Sequence, residues 1–341
     1  DGREEVGEKV IIDTDPGVDD ALAIIFAVAS GLFIEGITIV YGNSTDVKKL
    51  GTNAKCILRT IEQPDIPVYL GATGPLEPRS MEHASHCAID IHGADGLGNM
   101  RPAIEASDQT FSDEPASEFI YRTCVANTGE INLITVGPLT NIAKALRDHP
   151  DLPKHVKRVL VMGGAYGERR GNRTESAEAN FAEDPVAADE VLRAGFAEVA
   201  LCGLDLTHQL DLVSLRRGLA LSGGPAAMLC HSISEFYCEA YARIGHKTVP
   251  VHDPAPIAYL LRPELFAGRD ARVEVETTGR LTAGHSVADF SGRRPANCKV
   301  LIEVDAAGFE RLFLDALLSL DHRLTMDKPA LRPLRTSSCA A

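Results

Sequence analysis

Asp13, Asp15, Asp19 and Asp20 fall within the segment Asp13-Thr14-Asp15-Pro16-Gly17-Val18-Asp19-Asp20, directly after the apolar run Val10-Ile11-Ile12. Two carboxylates about 4 Å apart repel by roughly 4 kcal/mol at an effective dielectric of about 20, so such a cluster is costly unless a cation lies among them. Calcium and magnesium suit it, because they take oxygen ligands from carboxylates, backbone carbonyls and water. The plainer reading of the same residues is local. Asp13 then caps backbone, while Asp19 and Asp20 match the positive end of a helix dipole. Four acids crowded at one junction favour the cation.

The elements around the cluster place it. Residues 10–12 form a short, continuously apolar, β-branched run of the kind buried in a parallel sheet, Pro16-Gly17 turns the chain, and residues 18–29 have helical composition. Side chains alternate along a strand, so Asp13 and Asp15 share one face, and Asp19 and Asp20 occupy the first helical turn. All four are expected to converge at the carboxyl edge of the sheet, where open α/β sheets bind ligands.

The pattern continues along the chain. Apolar runs at 36–41, 68–70, 131–136, 159–162 and 199–202 alternate with helix-period segments at 47–61, 116–126, 139–146 and 185–194. This alternation implies βαβ units and a Rossmann-like, mainly parallel sheet flanked by helices. Beyond Cys202 come expected helices at 225–242, 253–261 and 307–320 and strands at 272–278 and 299–304, a helical and β-hairpin elaboration of one domain spanning 9–322. Residues 1–8 and 323–341 have the composition of flexible termini. Two loops, 71–107 and 163–182, exceed simple connections and carry polar groups suited to a ligand, among them His92, Asn172, Glu178 and Asn180.

Composition narrows the partners. A net charge of −14 in 341 residues opposes a phosphate backbone, so no nucleic-acid partner is expected and an uncharged or cationic small ligand is favoured. No long apolar stretch predicts a membrane span, and a cytoplasmic location is expected. The eight cysteines are scattered without a C-x-x-C pair, as free thiols in a reducing compartment would be. His83-x-x-His86 beside Cys87 is a candidate zinc site that lacks a fourth ligand nearby.

The aspartate cluster, together with Val136-Gly137-Pro138-Leu139-Thr140-Asn141, Met162-Gly163-Gly164, Gly203-Leu204-Asp205-Leu206-Thr207-His208 and Val251-His252-Asp253-Pro254, resembles the inosine-uridine-preferring nucleoside hydrolase family. The resemblance runs in order from about residue 9 to 320. It implies a calcium-dependent N-ribosyl hydrolase that splits ribonucleosides into ribose and base. By the same resemblance Asp15, Asp20, Asp253 and the carbonyl of Val136 hold Ca2+, and Asp15 also accepts a proton from the attacking water. Asp13 would orient these ligands from behind. Asp19, Asn43 and Asn180 would bind the ribose diol, and Asn172, Glu178 and Met162 the 5′ side. His252 would protonate the departing base, with Arg243 and His246 as rival donors, while His92, Tyr237 and Tyr241 would meet the base. Family members often carry Thr where Val136 stands, a departure the main-chain ligand tolerates.

Two other readings remain open. A silent nucleoside- or ribose-binding protein would keep the acidic cup without turnover, and an Asp-nucleophile phosphatase would share the sheet. The second needs cationic phosphate contacts that this pocket's acids do not offer. The chain has no Trp, which disfavours base stacking between indoles. The resemblance further implies a homodimer or homotetramer.

Overall fold

The computed structural model describes residues 7–78, 88–103, 105 and 109–326. Among these, nine strands form one sheet: β1 (Lys9–Thr14), β2 (Phe33–Ile39), β3 (Val68–Leu70), β4 (Ile131–Thr135), β5 (Val156–Met162), β6 (Val199–Cys202), β7 (Phe266–Val275), β8 (Ser286–Asp289) and β9 (Cys298–Val304). Their order is β3-β2-β1-β4-β5-β6-β9-β7-β8. From β3 to β9 every pairing is parallel, and β7 and β8 extend the edge antiparallel.

Twelve helices cover it: α1 (Val18–Ala29), α2 (Val47–Thr60), α3 (Ala88–His92), α4 (Ala116–Ala126), α5 (Thr140–Asp148), α6 (Ala179–Glu183), α7 (Pro185–Arg193), α8 (Leu204–Thr207), α9 (Leu212–Ser222), α10 (Pro225–Arg243), α11 (Pro254–Leu261) and α12 (Ala306–Met326), counted among the described residues. The sheet separates two apolar layers, and β1 feeds both. Val10 and Ile12 pack with α1, α10, α11 and α12 on one side, whereas Ile11 packs with α4, α5 and α7 on the other. All three are fully buried, which explains a run with no polar alternation.

Strand order sets the site. From β1 the chain steps outward to β2 and β3, then returns to the opposite side of β1 for β4. The loops after β1 and β4 therefore diverge and leave a crevice between them, the topological switch point of an open α/β sheet. The segment 13–20 enters this crevice from β1, and 136–141 enters from β4.

The expected α/β architecture is present, with differences at its margins. β2 starts at Phe33 and β7 at Phe266, both ahead of the apolar segments that marked them. Helix α12 continues to Met326 with Leu324 buried, past the expected domain boundary at 322. At the other end Glu8, assigned to a flexible terminus, accepts from Lys157 at 2.6 Å and Asn132 at 3.0 Å. The candidate zinc ligands His83, His86 and Cys87 lie outside the described residues.

Candidate active site

The turn after β1 is built by its own acids. Asp20 accepts from the Thr14 hydroxyl at 2.5 Å, from the amides of Asp15 at 3.2 Å and Gly17 at 2.9 Å, and from Asn43 Nδ2 at 3.2 Å. The Gly17 contact satisfies an N–H that the start of α1 would otherwise leave open. The local capping role thus falls to Asp20. Four donors fill the lone pairs of a carboxylate, so a cation at Asp20 would take the place of a 3.2 Å contact. Asp15 receives the Asn43 amide at 2.7 Å on Oδ2, and Asn43 returns its Nδ2 to the Asp15 carbonyl at 3.0 Å.

Asp13 departs from the expected arrangement. Its Oδ1 accepts from Thr38 at 2.5 Å and Asn141 at 2.8 Å, while Oδ2 is buried without a hydrogen-bond partner. Asn141 in turn holds the carbonyl of Ile39 and the amide of Ala72. Asp13 therefore ties β1 to β2 and α5 beneath the cup rather than bonding to its neighbouring acids. Burial pushes its carboxyl up to about 7.

Asp19, Asp20 and Asp253 present carboxylate oxygens all within 4.8 Å of one another. Asp15 stands outside this trio, so the acids gathered closest differ by one from the ligand set the resemblance implied. Burial raises the pKa of all four acids, to about 7 for Asp19, and neighbouring acids add to the shift at Asp15, Asp19 and Asp253. Among the described residues the only basic group recorded in an ion pair with them is His92, whose Nδ1 lies 3.9 Å from Asp19 Oδ1. Burial holds His92 down at about 4, and its Nδ1 accepts the Val18 amide at 3.1 Å, so this ring is neutral. Buried like charges without a counter-charge fit a bound hard cation.

These groups line one cavity of about 570 Å³. Asp15, Asp19, Asp20, Asn43, His92, Val136, Met162, Asn172, Glu178, Asn180, Tyr237, Tyr241, His252 and Asp253 all face it. Asn180 donates Nδ2 to the carbonyls of Val136 at 2.9 Å and Met162 at 3.0 Å, which leaves its amide oxygen to offer a ligand. The Val136 carbonyl retains a second lone pair. Glu178 caps α6, accepting from the amides of Gly164, Asn180 and Phe181 at 2.9–3.1 Å. Burial nevertheless raises it to about 7. Asn172 Oδ1 accepts the Ala179 amide at 2.9 Å and fastens the preceding loop to this cap.

On the opposite wall His252 is buried, with Nδ1 2.8 Å from Thr207 Oγ1 and Nε2 3.4 Å from the Tyr241 hydroxyl. Burial and the neighbouring histidines lower its pKa well below the ordinary value. Tyr237 is 1% exposed and donates to Tyr241 at 3.4 Å, so it serves core and cavity together. The rival donors part company. His246 reaches the cavity edge-on to Tyr241, whereas Arg243 points away, over Phe236 and toward Glu239. His208 was not singled out from the sequence, yet it lines the cavity with its ring centroid 5.7 Å from that of His252. Its presence in the Gly203–His208 motif was the available signal.

A model of the inosine-uridine preferring nucleoside hydrolase family matches residues 10–311. The chain belongs to this family. Over 318 residues the hydrolase is 36% identical to the pyrimidine-specific ribonucleoside hydrolase RihA of Escherichia coli (strain SMS-3-5 / SECEC), spanning 90% of this chain and 97% of that one. Its fold superposes on a plant nucleoside hydrolase, the PpNRh1 enzyme, with a TM-score of 0.83 at 31% identity, covering 91% and 99% of the two chains. A purine-preferring ribonucleoside hydrolase from Gardnerella vaginalis gives the same TM-score at 28% identity, covering 92% and 99%. The hydrolase is accordingly an N-glycosidase that releases ribose and a free base from ribonucleosides.

Proposed function

We propose that this nucleoside hydrolase depends on calcium, held by Asp20 and Asp253 with Asp15 and the Val136 carbonyl, and that Asp19 turns to the ribose diol. The observation that carries this reading is the set of buried acids without a counter-charge at the switch point. Bound there, calcium would polarise a water and lower its pKa. Asp15 accepts the proton of the attacking water, and burial beside Asp20 makes its carboxylate a stronger base than a solvated one. Asn43, Asn180 and Asp19 hold the 2′ and 3′ hydroxyls; Asn172, Glu178 and Met162 enclose the 5′ side. As the glycosidic bond breaks, positive charge grows on the sugar, and the anionic cup stabilises it more than the neutral nucleoside. His252 donates to the departing base.

The metal is tested by thorough chelation followed by titration with calcium or magnesium. Hydrolysis should vanish and return with calcium; full activity after verified metal removal would exclude the mechanism. On the base, the 36% identity to a pyrimidine-specific relative supports a pyrimidine preference here. Initial rates on uridine, cytidine, inosine, adenosine and guanosine decide it, and faster purine turnover would refute it.

A further inference from the structure

Thr207 is fully buried in the short helix α8, and its Oγ1 stands 2.8 Å from Nδ1 of His252. We propose that Thr207 is a positioning residue for the hydrolytic reaction, gripping His252 by Nδ1 so that Nε2 is the nitrogen turned toward the leaving base. The proposal rests on the reading of His252 as the donor to that base.

An imidazole turns about its terminal torsion in a broad, roughly two-fold well, so packing alone does not fix which ring edge faces a cavity. A hydrogen bond at one nitrogen does. Two features hold the hydroxyl itself. The Thr207 amide bonds to the Gly203 carbonyl at 3.1 Å, and the branched Cβ restricts χ1. The Leu204 amide bonds to the Gly164 carbonyl at 2.9 Å, which anchors this turn to the loop after β5. Nε2 then looks toward the Tyr241 hydroxyl and the cavity.

A hydroxyl suits the task because it both donates and accepts. In the form that donates, the ring carries hydrogen on both nitrogens, a form that burial and the neighbouring histidines disfavour and that Nδ1–H donating to Thr207 Oγ1 helps to hold. As the C–N bond breaks, its electron pair stays with the base, whose nitrogen takes the hydrogen from Nε2. The ring is left neutral, with its remaining hydrogen on Nδ1 still donated to Thr207. When the neutral ring instead carries its hydrogen on Nε2, the hydroxyl rotates and donates to Nδ1. A carboxylate in this place would add another negative charge near Asp19, Asp20 and Asp253.

The test compares Thr207→Val, which keeps the shape, and Thr207→Ser, which keeps the hydroxyl, on uridine and on 4-nitrophenyl riboside. The phenolate of the second substrate leaves without a proton. Thr207→Val should lose about 10–100-fold in kcat/KM on uridine, part of the roughly 10²–10⁴-fold that donor assistance supplies. It should stay within about threefold of the parent on the nitrophenyl riboside, where no proton is needed. Thr207→Ser should recover most of the uridine rate. Combined with His252→Ala, Thr207→Val should add no further loss on uridine. An equal fall on both substrates, or no uridine loss in Thr207→Val while His252→Ala is impaired, would overturn the positioning role. If His252→Ala itself lowers both substrates equally, the donor assignment fails, and the proposal fails with it.

Discussion

The Asp15 carboxylate sits in a slot between two glycines. A Cβ at Gly137 would stand 2.7 Å from its Oδ1, and one at Gly42 would press on Oδ2. Gly42 has φ 155°, and it follows β2 while Gly137 follows β4, so the two sides of the crevice both narrow onto one side chain. Gly137→Ala should displace the carboxylate with little effect on the core, because the added methyl meets Asp15 and the tip of Val40. A misplacement of about 1 Å costs on the order of 100-fold in rate. We expect kcat to drop by about that factor while the melting temperature moves little; an unchanged kcat would show that Asp15 tolerates displacement. The sugar contacts make a separate prediction. If Asp19, Asn43 and Asn180 grip the diol in the transition state, deoxyuridine should lose far more in kcat/KM than in binding, since unpaired buried polar groups discriminate strongly against a missing hydroxyl. Equal kcat/KM for uridine and deoxyuridine would assign the cup another purpose.

At the scale of elements, α8 reaches further than its length suggests. Asp205 lies on the same turn as Thr207, and its Oδ2 accepts the amides of Tyr166 at 2.6 Å and Gly167 at 3.0 Å while Oδ1 accepts that of Arg169 at 3.0 Å. The carboxylate thus holds the start of the loop that carries Asn172 to the cavity. Asp205→Ala should speed amide exchange at residues 166–169 and raise KM more than it lowers kcat; unchanged exchange there would mean the loop keeps its shape without this clamp. Asn is no substitute, since its amide nitrogen would face an N–H on one side. Such an element is not legible as a helix in the sequence. Leu204–Thr207 is too short to show a period, and its bonds go to residues distant in the chain. The long alternating segments were legible because each buries a continuous face, as residues 10–12 do. Helix α9 lay between these cases. Its Asp211 cap and the left-handed Gly223 at its end are boundary signals, but only Leu212, Leu215 and Leu219 are buried along it. The acids of the site were conspicuous for their crowding, whereas Thr207 and Asp205 are ordinary residue types whose roles arise only from tertiary contact.

For the molecule as a whole, the buried acids make stability depend on pH. Asp13, Asp19 and Glu178 are pushed up to about 7, and Asp15 and Asp253 are raised as well, against about 4 for carboxyls in an unfolded chain. Raised carboxyls keep their protons in the folded state, so their contribution is fully present below about 4 and is lost as pH rises to about 7. Metal-free protein should therefore melt progressively lower between pH 5 and pH 8. If calcium is the ion that takes the deprotonated cup, it stabilises the fold by mass action, and the gap in melting temperature between loaded and stripped protein should widen over the same interval. A gap independent of pH would mean that these acids are not the ones that take the ion.

The cup also has an order of assembly. Asp19 and Asp20 open α1, while Asp253 immediately precedes α11, far later in the chain and after six of the nine strands. A nascent chain that has not yet reached α11 carries the first acids without their last partner, and no local segment can bring them together. Closing so long a loop is entropically costly and belongs to the slow, non-local part of folding. An ion that needs both ends therefore rewards the finished topology and gives little to partly folded forms.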